Sequence, residues 1–155
     1  MRNLKYSYTK GFTFLELLIA VLILGILLAI SVPSYQAYVI KGNRVDMQSA
    51  MTEIAQKMAT YQAANRSYEG ASLSNPQIYG NTKFPKDKPL YDLSLSVTDS
   101  NNDGRADTWT LDASPIGGKR QKDDGQIRLN DQGWRCWTKG ASSCGLTASS
   151  SWKDN

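Results

Sequence analysis

FTFLELLIAVLILGILLAISV, residues 12–32, decides how the rest of the chain is read. Apolar side chains fall on every face of a helix drawn through this run. At about 1.5 Å per residue the run covers the roughly 30 Å hydrocarbon core of a bilayer, so it can span a membrane. A secretory signal would be shorter and would end in small residues at its cleavage site. Here a glycine instead precedes the apolar run, in KGFTFLE. Cutting after Gly11 would remove a short basic leader and keep the hydrophobic helix.

Working toward the N-terminus, Arg2, Lys5 and Lys10 stand in that leader with no acid among them. Positive-inside orientation then puts the leader in the cytoplasm and everything after the span in the periplasm. The net charge of +4 owes most of its excess to those three cations, so the basic pI says little about nucleic acid. Histidine is absent, which closes every mechanism that needs an imidazole base, shuttle or metal ligand. The chain therefore reads as non-enzymatic. Beyond the helical third, the 155 residues leave room for one small globular domain and no second core.

Glu16 is the most informative residue of the span, because an ionised carboxylate within the bilayer costs several kcal/mol unless it is paired. After cleavage the amine of Phe12 lies one helical turn away, so pairing within the chain or with a neighbouring chain would offset that cost. Snorkelling to the interface is the simpler alternative.

The basic leader, Gly11 before the scissile bond, Phe12 as the new terminus and Glu16 as the fifth mature residue resemble the type IV prepilin family. The resemblance is firm to about residue 65 and implies a good deal. A prepilin peptidase cuts between Gly11 and Phe12 and methylates the Phe12 amine, and Glu16 meets the amine of a neighbouring subunit. The partners are other pilin subunits through the N-terminal helix, the peptidase and an inner-membrane assembly platform, with DNA or a host surface as further candidates. The subunit waits in the inner membrane and ends in an extracellular pilus, serving assembly, adhesion, twitching motility or DNA uptake. The implied fold is α+β, the pilin fold: a long kinked N-terminal helix packed on a C-terminal four-stranded antiparallel sheet. Its divisions are a leader at 1–11, a membrane and filament-core half-helix at 12–33, an amphipathic half at 34–65, a connecting loop at 66–89, and sheet plus disulfide region at 90–155. No cofactor is implied. Two rivals stand beside this reading: a type II secretion pseudopilin, and a membrane-tethered module for DNA or glycan.

After Pro33 the helix turns amphipathic. Met47, Met51, Ile54, Met58 and Tyr61 recur at helical spacing, with Arg44, Asp46, Glu53 and Lys57 interleaved, which gives one greasy stripe to lay on a sheet. Gly25 and Pro33 are the weak points of the helix, one lacking a side chain and the other a backbone donor. The resemblance implies that residues 25–33 loosen on polymerisation, while a static bend is the plainer reading. Gly42 adds at most a milder flexure.

Residues 65–89 have no sustained period and read as connection. Four strands follow from alternating residues: Tyr91 to Val97, Trp109 to Ala113, Ile127 to Leu129 and Trp134 to Thr138. DSNNDG and NDQG suit the turns between them. Cys136 and Cys144 suit a local disulfide in an exported domain, with two free structural thiols as the alternative. The short loop between them, with RCW at 135–137, leans toward a minor pilin.

Two further constellations are weighed. Asp99, Asn101, Asp103 and Asp107, with Gly104, follow the first half of a calcium-binding loop. Thr110 stands where that loop needs its bidentate carboxylate, so any calcium affinity is weak, and a polar turn capping its own backbone is the competing reading. Lys119, Arg120 and Lys122 could meet DNA phosphates, although Asp123 and Asp124 follow at once and cancel much of that field. Trp134, Trp137 and Trp152 could stack on bases, with at least two expected in the core.

Overall fold

The computed structural model describes residues 11–153. The leader cations Arg2, Lys5 and Lys10 lie outside the described residues. One helix, α1, runs Phe14–Asn65, and the strands are β1 Lys83–Phe84, β2 Tyr91–Thr98, β3 Thr108–Pro115, β4 Ile127–Asn130 and β5 Arg135–Trp137. The chain divides into two units, one ending at Val39 and the other beginning at Ile40.

In the first unit every described residue up to Tyr38 is exposed, and the apolar ones would face lipid rather than protein. The run is long and apolar enough to cross a membrane. Pro33 lies inside the helix, where it removes one backbone donor. Upstream of it, Ser31 donates its hydroxyl to the Leu27 carbonyl at 2.7 Å.

In the second unit the predicted stripe is the buried face of the helix: Met47, Met51, Ile54 and Met58 are wholly inaccessible, and Tyr61 packs against them. Unbranched methionines suit this position because they fill the uneven gap between a cylinder and a pleated surface. The sheet is antiparallel throughout, in the order β1-β2-β3-β4-β5. Register sets Leu95, Leu111 and Leu129 in one inward row and Leu93, Ala113 and Ile127 in the next. Alternation along β2 and β3 follows because only one face meets the core.

The sheet has five strands rather than four. The additional β1 pairs Lys83 with Asp92 and Phe84 with Tyr91, and its 2 residues are too few to show any alternation. The last strand also departs from its expected period. Cys136 and Trp137 are both buried while Thr138 is exposed, because the strand ends after Trp137 and the indole turns inward to donate to the Asp124 carbonyl at 2.9 Å. Both expected turns form, with Asn102 and Gly104 in one and Gly133 in the other at positive φ.

Candidate nucleic-acid interface and assembly segment

The start of α1 carries a feature the sequence reading missed. Thr13 accepts a hydrogen bond on Oγ1 from the Glu16 amide at 3.2 Å, and the Glu16 carboxylate receives the Thr13 amide at 3.5 Å. Two amide donors at the helix start are thereby satisfied reciprocally, as a Thr-x-x-Glu capping box does. That spacing was visible in TFLE at residues 13–16. Gly11 and Phe12 precede the helix and are exposed, and Gly25 and Pro33 are exposed within it.

The loop between β3 and β4 is anchored from inside. Gln121 and Asp124 are buried, while Lys119, Arg120, Lys122 and Asp123 are exposed. Asp124 accepts from Arg44 Nε with both oxygens at 3.2 Å and pairs with the second guanidinium nitrogen at 3.0 Å. The Tyr91 hydroxyl donates to the same carboxylate at 3.0 Å. Gln121 donates to the Tyr91 hydroxyl at 2.6 Å, to Asp124 at 3.2 Å and to the Ile40 carbonyl at 3.2 Å, and it accepts from Asn43 at 3.2 Å. The Arg44 guanidinium also stacks 3.5 Å from the centre of the Trp137 ring. Burial, with the Asp124 carboxylate beside it, pushes the Tyr91 phenol well above its ordinary range.

This changes the electrostatic reading of the loop. Asp124 points inward and is neutralised by Arg44, so it does not offset the neighbouring cations as its place in the sequence suggested. Asp123 alone remains outside, in a loose 3.9 Å pair with Lys122. Three cations and one carboxylate therefore face solvent on a loop whose backbone is fixed beneath them. Gly125 closes the loop at φ 98°, where a Cβ would collide with the Thr138 carbonyl oxygen.

The calcium-like loop is closed on itself. Asp99 accepts from the amides of Asp103 and Gly104, Asn101 accepts from Asp103, and Asp103 accepts from Arg105. Asp107 accepts from the Ser100 hydroxyl at 2.6 Å and amide at 2.7 Å, and these bonds hold its carboxyl below the usual carboxylate range. Among the described residues no group of three histidine, cysteine or acidic side chains gathers as a metal would require.

Cys136 and Cys144 form a disulfide. Arg128 reinforces the loop it closes, pairing with Asp112 at 2.7 Å and donating to the Cys144 carbonyl at 2.9 Å. Of the tryptophans, Trp109 and Trp137 are buried, and Trp134 and Trp152 are partly exposed.

Comparison with known proteins places these features. Residues 6–32 match the prokaryotic N-terminal methylation motif, and residues 33–136 match a family described as type IV minor pilin ComP, DNA uptake sequence receptor. The chain belongs to the type IV pilin family. The type IV major alpha-pilin of Moraxella bovis is 33% identical over 142 residues, covering 85% of this chain and 87% of that one. A fimbrial protein of Pseudomonas aeruginosa is 34% identical over 87 residues, 56% of this chain and 49% of its own length. The crystal structure of the Neisseria meningitidis non-core minor pilin PilV superposes with a TM-score of 0.50 at 17% identity, over 71% of this chain and 98% of that one, a likeness of fold.

Membership in the pilins makes this chain a structural filament subunit, anchored through its apolar helix, handled by a prepilin peptidase and assembled with other pilins. The residues that sequence reasoning missed are Thr13, Arg44, Gln121 and Asp124. Thr13 had a local signal. Arg44 and Asp124 are 80 positions apart and had none.

Proposed function

We propose that this pilin is a minor subunit of its filament and that its globular unit contacts DNA during uptake. The observation that carries this reading is the match of residues 33–136 to the minor pilin ComP family, described as a DNA uptake sequence receptor. That span includes the loop bearing Lys119, Arg120 and Lys122, whose cations face outward on a fixed backbone, as phosphate contacts need. The likenesses to pilins and fimbrial proteins do not favour a secretion pseudopilin.

In this reading cleavage falls between Gly11 and Phe12, Phe12 is methylated, and Glu16 neutralises the new amine of a neighbouring subunit. The globular unit matures in the periplasm, where the disulfide forms. The domain divisions stay at 1–11, 12–33, 34–65, 66–89 and 90–155, and residues 25–33 extend on polymerisation. Loop 99–107 acts as a self-capped turn, with calcium at most a weak visitor.

Binding of a labelled duplex by the full mature chain in neutral detergent, measured by fluorescence anisotropy across salt concentrations, tests the reading. Converting Lys119, Arg120 and Lys122 to glutamine is expected to reduce the salt slope by about 2.7, since each B-DNA phosphate contact contributes about 0.9. Absence of duplex binding by the unaltered chain would reject duplex contact through this loop. An unchanged slope would remove this loop from duplex binding.

A further inference from the structure

A cavity of about 280 Å³ opens between the part of α1 that lies in the second unit and the C-terminal segment, lined by Lys41, Arg44, Val45, Gln48, Trp152 and Lys153. It lies apart from the 119–122 cations in sequence and shares no residue with them. Lys41, Val45 and Gln48 stand at helical spacing of four and three, so they share one face of α1. Trp152 and Lys153 come from the far end of the chain. Among the described residues the cavity's lining contains no carboxylate, although Asp124 neutralises Arg44 from beneath.

The aromatic wall is held in place. Trp152 donates its indole N–H to the Arg128 carbonyl at 3.1 Å, and Arg128 is itself fixed by Asp112 and the Cys144 carbonyl. The Arg135 guanidinium stands 5.1 Å from the centre of the same ring and helps hold it, without itself lining the cavity. Lys41 and Lys153 are exposed and make no ion pair among the described residues. Exposed lysines flanking a fixed indole, with a glutamine amide alongside, combine backbone neutralisation with a stacking platform.

We infer that this cavity takes an unpaired nucleotide of single-stranded DNA, with its phosphates on Lys41 and Lys153 and its base against Trp152. The inference rests on the DNA-contact reading above and adds to it a second site with a different preference. In a duplex both faces of each base are covered by neighbours, so an aromatic wall gains nothing from it. A free strand exposes those faces. Gln48 offers both a donor and an acceptor to a base edge. A lipid headgroup could meet the lysines, but it offers no flat ring to stack on the indole, whose N–H is already given to the Arg128 carbonyl.

The test uses the full mature chain in neutral detergent with labelled oligothymidylate and, separately, a labelled duplex of equal length. For Lys41→Gln/Lys153→Gln, oligothymidylate binding should weaken about 25-fold at 0.1 M salt and its salt slope fall by about 1.4, the share of two single-strand phosphate contacts. Duplex binding should be unchanged. Tryptophan fluorescence should be quenched by oligothymidylate, and Trp152→Phe should abolish that quenching. Unaltered oligothymidylate binding in the double lysine variant, with duplex binding still dependent on residues 119–122, would overturn the cavity assignment and leave the DNA reading standing. No binding of either DNA by the unaltered chain would overturn both. Quenching at Trp152 by phosphatidylglycerol in the micelle but not by oligothymidylate would assign the cavity to lipid and also overturn it.

Discussion

Replacing Arg44 with methionine keeps most of the side chain's length and its contact with Trp137 but removes the charge. The Asp124 side chain, 1% exposed, would then hold an uncompensated carboxylate. Tyr91 and Gln121 still donate to it, so the site keeps hydrogen bonds and loses its cation. Breaking a buried pair from one side costs about 3–5 kcal/mol. At roughly 4 °C per kcal/mol for a unit of this size, the melting temperature should fall by about 12–20 °C. Tryptophan fluorescence is the appropriate readout, because all four tryptophans lie in the second unit and none in the membrane helix. Adding Asp124→Asn should recover much of the loss, since an amide oxygen still accepts from Tyr91 without needing a cation. A variant that melts within about 2 °C of the unaltered chain, or whose loss is not reduced by adding Asp124→Asn, would refute the argument that a buried charge pair fixes this loop.

Four further outcomes follow from other parts of the molecule. Tyr91 has a raised folded-state pKa, so above about pH 10 the unfolded chain releases a proton that the fold retains; urea unfolding should show stability falling about 1.4 kcal/mol per pH unit more steeply than in Tyr91→Phe. Asp107 has a lowered one, so its contribution is present above about pH 4 and is lost as pH falls through the depressed value; Asp107→Asn should flatten the acid limb of a melting profile. Millimolar calcium should leave the melting temperature unchanged, because the carboxylates of loop 99–107 already accept from its own amides; a rise that saturates with calcium would contradict this. Gly125→Ala should cost about 3 kcal/mol or more, combining positive φ with a collision against Thr138, and would show as loss of soluble folded unit on expression.

Much of the fold was legible because its signals are local. An unbroken apolar run, a methionine stripe at helical spacing and strands alternating between glycine- and asparagine-rich turns each announce themselves within about a dozen residues. Strand β1 escaped because a 2-residue pairing has no period, and Lys83 and Phe84 sit among prolines and lysines that read as loop. Arg44 and Asp124 escaped for a different reason. Each looks like an ordinary solvent-facing charge in its own neighbourhood, and only the packing of α1 against the β3–β4 loop brings them together. The candidate interface inherits that dependence: whether Asp124 weakens or supports the cations beside it is decided by a partner 80 residues away.

Glu16 presents the same difficulty at the other end of the chain, and one substitution separates the cap it forms from the counter-charge role proposed for it. As part of the capping box its side chain accepts from the Thr13 amide, a task a glutamine performs as well. As the counter-charge to a freed Phe12 amine it must be ionised, which a glutamine never is. Glu16→Gln should therefore retain the helix start and membrane insertion, read by circular dichroism and membrane fractionation, yet lose incorporation into filaments, read in sheared pilus preparations. Glu16→Ala should lose both the cap and incorporation. If the glutamine variant entered filaments at the level of the unaltered chain, the carboxylate would be a helix cap alone, and charge pairing between subunits would have to be sought at another residue.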